Sequence, residues 1–85
     1  MNLMSIKYSG EETVERFKEY LEWECKILDR VLELGPSHQD RIAEINQTMA
    51  RCCGVAFFMQ NFAEFEIIDE IYHEYWNRLM NLKLQ

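Results

Sequence analysis

The sequence predicts an all-α protein, an antiparallel bundle of three helices, on three observations. Apolar residues recur at spacings of three and four over three successive segments. A Gly35-Pro36-Ser37 break and a weaker one near Asn61 divide them. Connections that short make neighbouring helices antiparallel. With 85 residues and 48% hydrophobic residues, the chain is sized for one domain with its own core.

The first helix is expected over about residues 11–34. Ser9 or Gly10 marks its start, because Glu11, Glu12 and Glu15 then lie in the first turns, where the positive end of the helix dipole favours carboxylates. Gly35 can take the left-handed capping conformation, and Pro36 cannot continue the helix. Val14, Phe17, Leu21, Leu28, Val31 and Leu32 make one apolar stripe.

Ser37 opens a second helix over about residues 38–60, its hydroxyl accepting from the Asp40 N–H while Asp40 reaches back. Ile42, Ile45, Met49, Cys52, Ala56 and Met59 keep heptad-like spacing across Gly54, which is expected inside the helix at a point of close helix approach. Asn61 is expected in the left-handed conformation, with Phe62 making the accompanying apolar contact. The third helix then covers about residues 64–82, with Phe65, Ile68, Tyr72, Tyr75, Leu79 and Leu82 facing inward. The alternative is one continuous helix over residues 38–82, a long hairpin that must dimerise. Residues 1–10, where Met4, Ile6 and Tyr8 alternate, are expected to form a flexible or extended arm.

Composition excludes several functions. The net charge is −6 and the nine basic residues are scattered, so direct nucleic-acid binding, which needs clustered Lys and Arg, is not expected. The longest apolar run, residues 52–59, is far short of the roughly 20 needed to span a bilayer. No signal-peptide pattern opens the chain, and the cytoplasm is the expected compartment. Cys25, Cys52 and Cys53 make a poor disulfide framework and lack zinc-ligand spacing, so they are read as packing residues. A redox switch at Cys52 and Cys53 would need a depressed thiol pKa.

Candidate sites follow from surplus apolar residues and from charge. Trp23, Ile27, Phe57, Phe58, Trp76 and Met80 lie off the main stripes, and a bundle this small cannot bury everything, which predicts an interface and a homodimer. The plainer alternative is that Phe57, Phe58 and Trp76 thicken the core. The outer helices are acidic around a neutral middle one, which predicts a binding face of Glu12, Glu15, Glu19, Glu22, Glu66, Asp69, Glu70 and Glu74. Glu70 and His73 have a Glu-x-x-His spacing that two copies of the chain could combine into a metal site; without that assembly no cofactor is expected. No nucleophile constellation or phosphate loop is present, so no enzymatic activity is expected.

In size, acidity and helical build the chain resembles the small accessory proteins of phages and mobile elements, some of which inhibit host nucleases. That resemblance implies a non-enzymatic module that binds a basic, nucleic-acid-binding protein by acidic mimicry. No motif carries individual residues over. The alternatives are a carboxylate and histidine metal-binding dimer and a purely structural or regulatory homodimer.

Overall fold

The structure, a computed structural model, describes residues 10–85. They form three helices, α1 (Gly10–Glu33), α2 (His38–Met59) and α3 (Phe65–Lys83), and each packs on the other two. This is the antiparallel three-helix bundle that the periodicity predicts. The expected arm over residues 1–10 lies, except for Gly10, outside the described residues.

Local chemistry sets the ends. Gly35 has φ of +70°, the left-handed conformation that closes α1. The Ser37 hydroxyl accepts the Asp40 N–H at 3.1 Å and caps α2. The break near Asn61 is real, which overturns the continuous helix over residues 38–82, but its mechanism differs from expectation. No non-glycine residue among those described has positive φ. Instead, Asn61 and Phe62 donate their N–H groups three residues back, to Phe58 and Met59, and the Asn61 side chain donates to the Phe58 carbonyl at 2.8 Å. A tightened last turn thus satisfies carbonyls that a left-handed residue would otherwise serve. The Phe62 ring does make an apolar contact, with Phe58 at 5.2 Å between centroids.

The core is built from Phe17, Leu21, Cys25 and Leu28 of α1, Ile45, Met49, Cys52 and Ala56 of α2, and Ile68 and Leu79 of α3. Every one of these except Cys25 belongs to the stripes read from the sequence. Two expectations are corrected. Phe65, first in the α3 stripe, lies outside the core because the helix begins there, before the chain has reached the bundle interior. Gly54 lies inside α2 but permits no close approach, since a Cβ placed there would meet nothing within 4 Å. The Arg41 guanidinium donates to the Leu82 carbonyl at 2.9 Å, tying the start of α2 to the end of α3.

Three substitutions should separate these roles in thermal melts. Gly54→Ala should stabilise by about 0.5–1 kcal/mol, the helix-propensity difference at an open site. Gly35→Ala should destabilise by about 1 kcal/mol, because alanine resists positive φ. Thr13 is buried and its hydroxyl has no hydrogen-bond partner among the described residues, so Thr13→Val should stabilise by about 1 kcal/mol. Each kcal/mol should move Tm by about 4–8 °C.

Candidate protein-binding end of the bundle

The start of α1, the end of α2 and the start of α3 meet at one end of the bundle. There the last turns of α2 and the turn into α3 carry more aromatic residues than the core can take. Phe57 is 75% exposed, Phe58 58% and Phe65 57%, and Phe62 and Ile67 are also open to solvent. Five large apolar side chains thus stand outside the core within eleven residues. Beside them a cleft of about 510 Å³ opens between α1 and the α2–α3 turn. Val14, Ala63 and Ile67 form its apolar walls, and Glu11, Glu15 and Glu64 stand around it. The side chains of these three glutamates make no ion pair or hydrogen bond with other described residues.

The expected interface set divides between two regions and the core. Phe57 and Phe58 lie at the aromatic end. Trp23, 56% exposed, and Ile27 lie on the outer side of α1, where Trp23 stacks at an angle on Tyr20 with centroids 6.3 Å apart. Trp76 and Met80 are half-buried against the core, and Trp76 meets the Tyr72 ring at 5.6 Å. Phe62, Phe65 and Ile67 and the cleft glutamates Glu11 and Glu64 stand at this end but lie outside the interface and acidic-face sets expected from the sequence. A signal for the aromatics was available in the density of phenylalanine between positions 57 and 65.

The acidic face is also divided. Glu12 pairs with Arg16 at 3.8 Å, and Asp69 with His73 at 3.4 Å. Glu22 accepts from the Tyr75 hydroxyl and pairs with Arg78 at 3.3 Å, so it joins α1 to α3. Burial first, then the hydrogen bond to Glu22, pushes the Tyr75 phenol up to about 12. Glu15, Glu19, Glu66, Glu70 and Glu74 are exposed and unpaired among the described residues. A shallow depression on α1 brings Trp23 together with Glu19 and Glu22, but Lys18 and Lys26 line it too and balance its charge.

A buried ion pair holds the other seam. Glu24 falls at a core position of α1 and is buried. Its carboxylate accepts from Arg51 at 2.8 and 3.1 Å and from the Tyr20 hydroxyl at 2.6 Å. Arg51 also donates to Thr48, whose hydroxyl donates to the Glu44 carbonyl. Burial works to raise the Glu24 carboxyl, but the hydrogen bonds from Arg51 and Tyr20 and the guanidinium charge together hold it below its ordinary value. The nearby Cys52 thiol is pushed up to about 12, by burial first and by Glu24 second, opposite to what a redox switch needs.

Glu70 and His73 are exposed on the outer side of α3, and His73 Nδ1 sits 2.8 Å from the Asp69 carbonyl. Among the described residues no group of three or more His, Cys, Asp or Glu side chains is placed to hold a metal ion. Nor is any described helix long and apolar enough to cross a membrane. No known protein family, curated protein or solved structure matches the chain.

The depressed Glu24 carboxyl makes stability depend on pH with a definite sign. A carboxyl held below its unfolded value contributes stability that is present above pH 4.5, the ordinary glutamate value, and is lost as pH falls through the folded value. Melting temperature should therefore drop on acidification below pH 4.5, and Glu24→Gln should make that drop shallower. Arg51→Ala at neutral pH should destabilise by about 2 kcal/mol, less than a fully buried pair would lose because the Arg51 side chain is half exposed.

Proposed function

We propose that the chain is a non-enzymatic, cytoplasmic module that binds another protein through the end of the bundle at the α2–α3 turn. The observation that carries this reading is the exposed cluster of Phe57, Phe58, Phe62 and Phe65 beside the carboxylates of Glu11, Glu15 and Glu64. Aromatic side chains dominate interface energetics when a partner desolvates them, and charges at the rim set orientation and association rate. Leaving four phenylalanines in water forgoes about 1.5–3 kcal/mol for each one that full burial would recover. A covering partner recovers it.

The charge of the surface favours a basic partner. Glu15 and Glu19 on α1 and Glu66, Glu70 and Glu74 on α3 are exposed and have no ion pair with other described residues, and carboxylates spaced along a helix can occupy positions that backbone phosphates take in a basic cleft. A nucleic-acid-binding protein or nuclease inhibited by acidic mimicry is the sharpest form of this proposal. The same aromatic patch also supports self-association, since a two-fold axis brings identical patches together.

The test captures partners on the tagged protein from its own source, elutes with a salt gradient and compares two variants. A basic protein retained in stoichiometric amount and released by salt is the expected result. Phe57→Ser/Phe58→Ser should abolish retention. Glu15→Lys/Glu19→Lys should weaken it about tenfold at low salt and flatten its salt dependence. Glu22 is left intact because it joins α1 to α3. Retention unchanged in both variants would overturn the proposal. Light scattering on the pure protein reads self-association, with dimer mass for the parent and monomer mass for the phenylalanine variant as its signature.

A further inference from the structure

Resting on the protein-binding reading above, we propose that the cleft between α1 and the α2–α3 turn receives an arginine side chain of the partner. The walls and the surrounding charges match the two halves of that side chain. Val14, Ala63 and Ile67 offer an apolar surface to the methylene stem. Glu11, Glu15 and Glu64 offer three carboxylates to the guanidinium, and among the described residues no lysine, arginine or histidine lines the cleft to compete. The Trp23 depression on α1, with two lysines among its lining residues, lacks that one-sided charge.

The helix ends do not cancel the carboxylates. The starts of α1 and α3 each contribute about half a positive charge, and the end of α2 contributes about half a negative one. Three full negative charges at the cleft outweigh that remainder. The cleft is much larger than one side chain, so the guanidinium can enter on a partner segment that also covers Phe65 and Ile67. Arginine suits the site better than lysine because its planar fork can donate to two carboxylates at once while its weakly hydrated head tolerates apolar walls.

The test uses the full chain, ¹⁵N-labelled, and a capped peptide of sequence alanine-arginine-leucine-arginine-alanine. A matched peptide carries citrulline in place of arginine, which keeps the shape and removes the charge. Saturable amide shifts at Gly10–Glu15 and Ala63–Ile67 are expected with the arginine peptide. Affinity should fall about tenfold with citrulline and by a similar factor in Glu11→Gln/Glu15→Gln/Glu64→Gln. Ile67→Ser, which keeps all three carboxylates, should also weaken binding. Shifts that are absent, that lie elsewhere, or that are equal for the two peptides would overturn the site. So would contacts from residues 1–9 to Val14 and Ile67 in the free protein, since the chain itself would then fill the cleft. The triple glutamine variant also enters the partner capture. If it keeps a partner that Phe57→Ser/Phe58→Ser loses, the arginine site fails while the protein-binding reading stands. If both keep it, that reading fails.

Discussion

The bundle depends on the pairing of Glu24 with Arg51. A carboxylate at a core position is tolerated only when its charge is met by a cation and its oxygens by hydrogen bonds, and desolvating it unpaired costs several kcal/mol. Arg51 and Tyr20 supply that set, and Thr48 joins the network by accepting from Arg51. A one-turn slip of α1 along α2, about 5.4 Å, would carry the carboxylate away from the guanidinium and leave it in the core. The ion pair therefore contributes register more than stability.

That register determines what the end of the bundle looks like. It sets the first turns of α1 level with the α2–α3 turn, so that Gly10, Glu11, Val14 and Glu15 face Ala63, Glu64 and Ile67 across the cleft. The α1–α3 seam is held by a different device, the exposed joint of Glu22 with Tyr75 and Arg78. An exposed ion pair contributes at most about 1 kcal/mol, so this seam is the weaker of the two. Beyond the joint it opens into the cleft rather than closing over apolar side chains. That opening puts exposed phenylalanines and carboxylates side by side at one end of the bundle.

The sequence reading and the structure agree where local forces decide. Gly35 and Ser37 act as their chemistry predicts, and nine of the ten core residues lie on the stripes read from spacing. Around position 61 two local solutions compete, a left-handed residue or a tightened turn closed by the asparagine side chain, and the sequence does not rank them. Gly54 shows a second limit. Glycine in a helix marks either close packing or mere tolerance, and only the position of the neighbouring helices tells which. The buried Glu24 was legible in principle, since position 24 continues the spacing of Phe17, Leu21 and Leu28, and an acid there requires a cation nearby.

By itself, then, the sequence determined the number, span and ends of the helices, their inward faces and the acidity of the outer ones. Periodicity and capping act between residues at most a few positions apart. Tertiary structure alone decided that Arg51, 27 residues from Glu24, supplies its counter-charge, and that Tyr75 and Arg78 take Glu22 out of the acidic face. It also decided that Trp76 and Met80 turn inward while Phe65 stays out, and that Glu11, Glu15 and Glu64 surround one cleft. Each of these depends on the rotation and register of one helix against another. Those two variables are set by packing and pairing across the whole bundle, and no stretch of neighbouring residues encodes them.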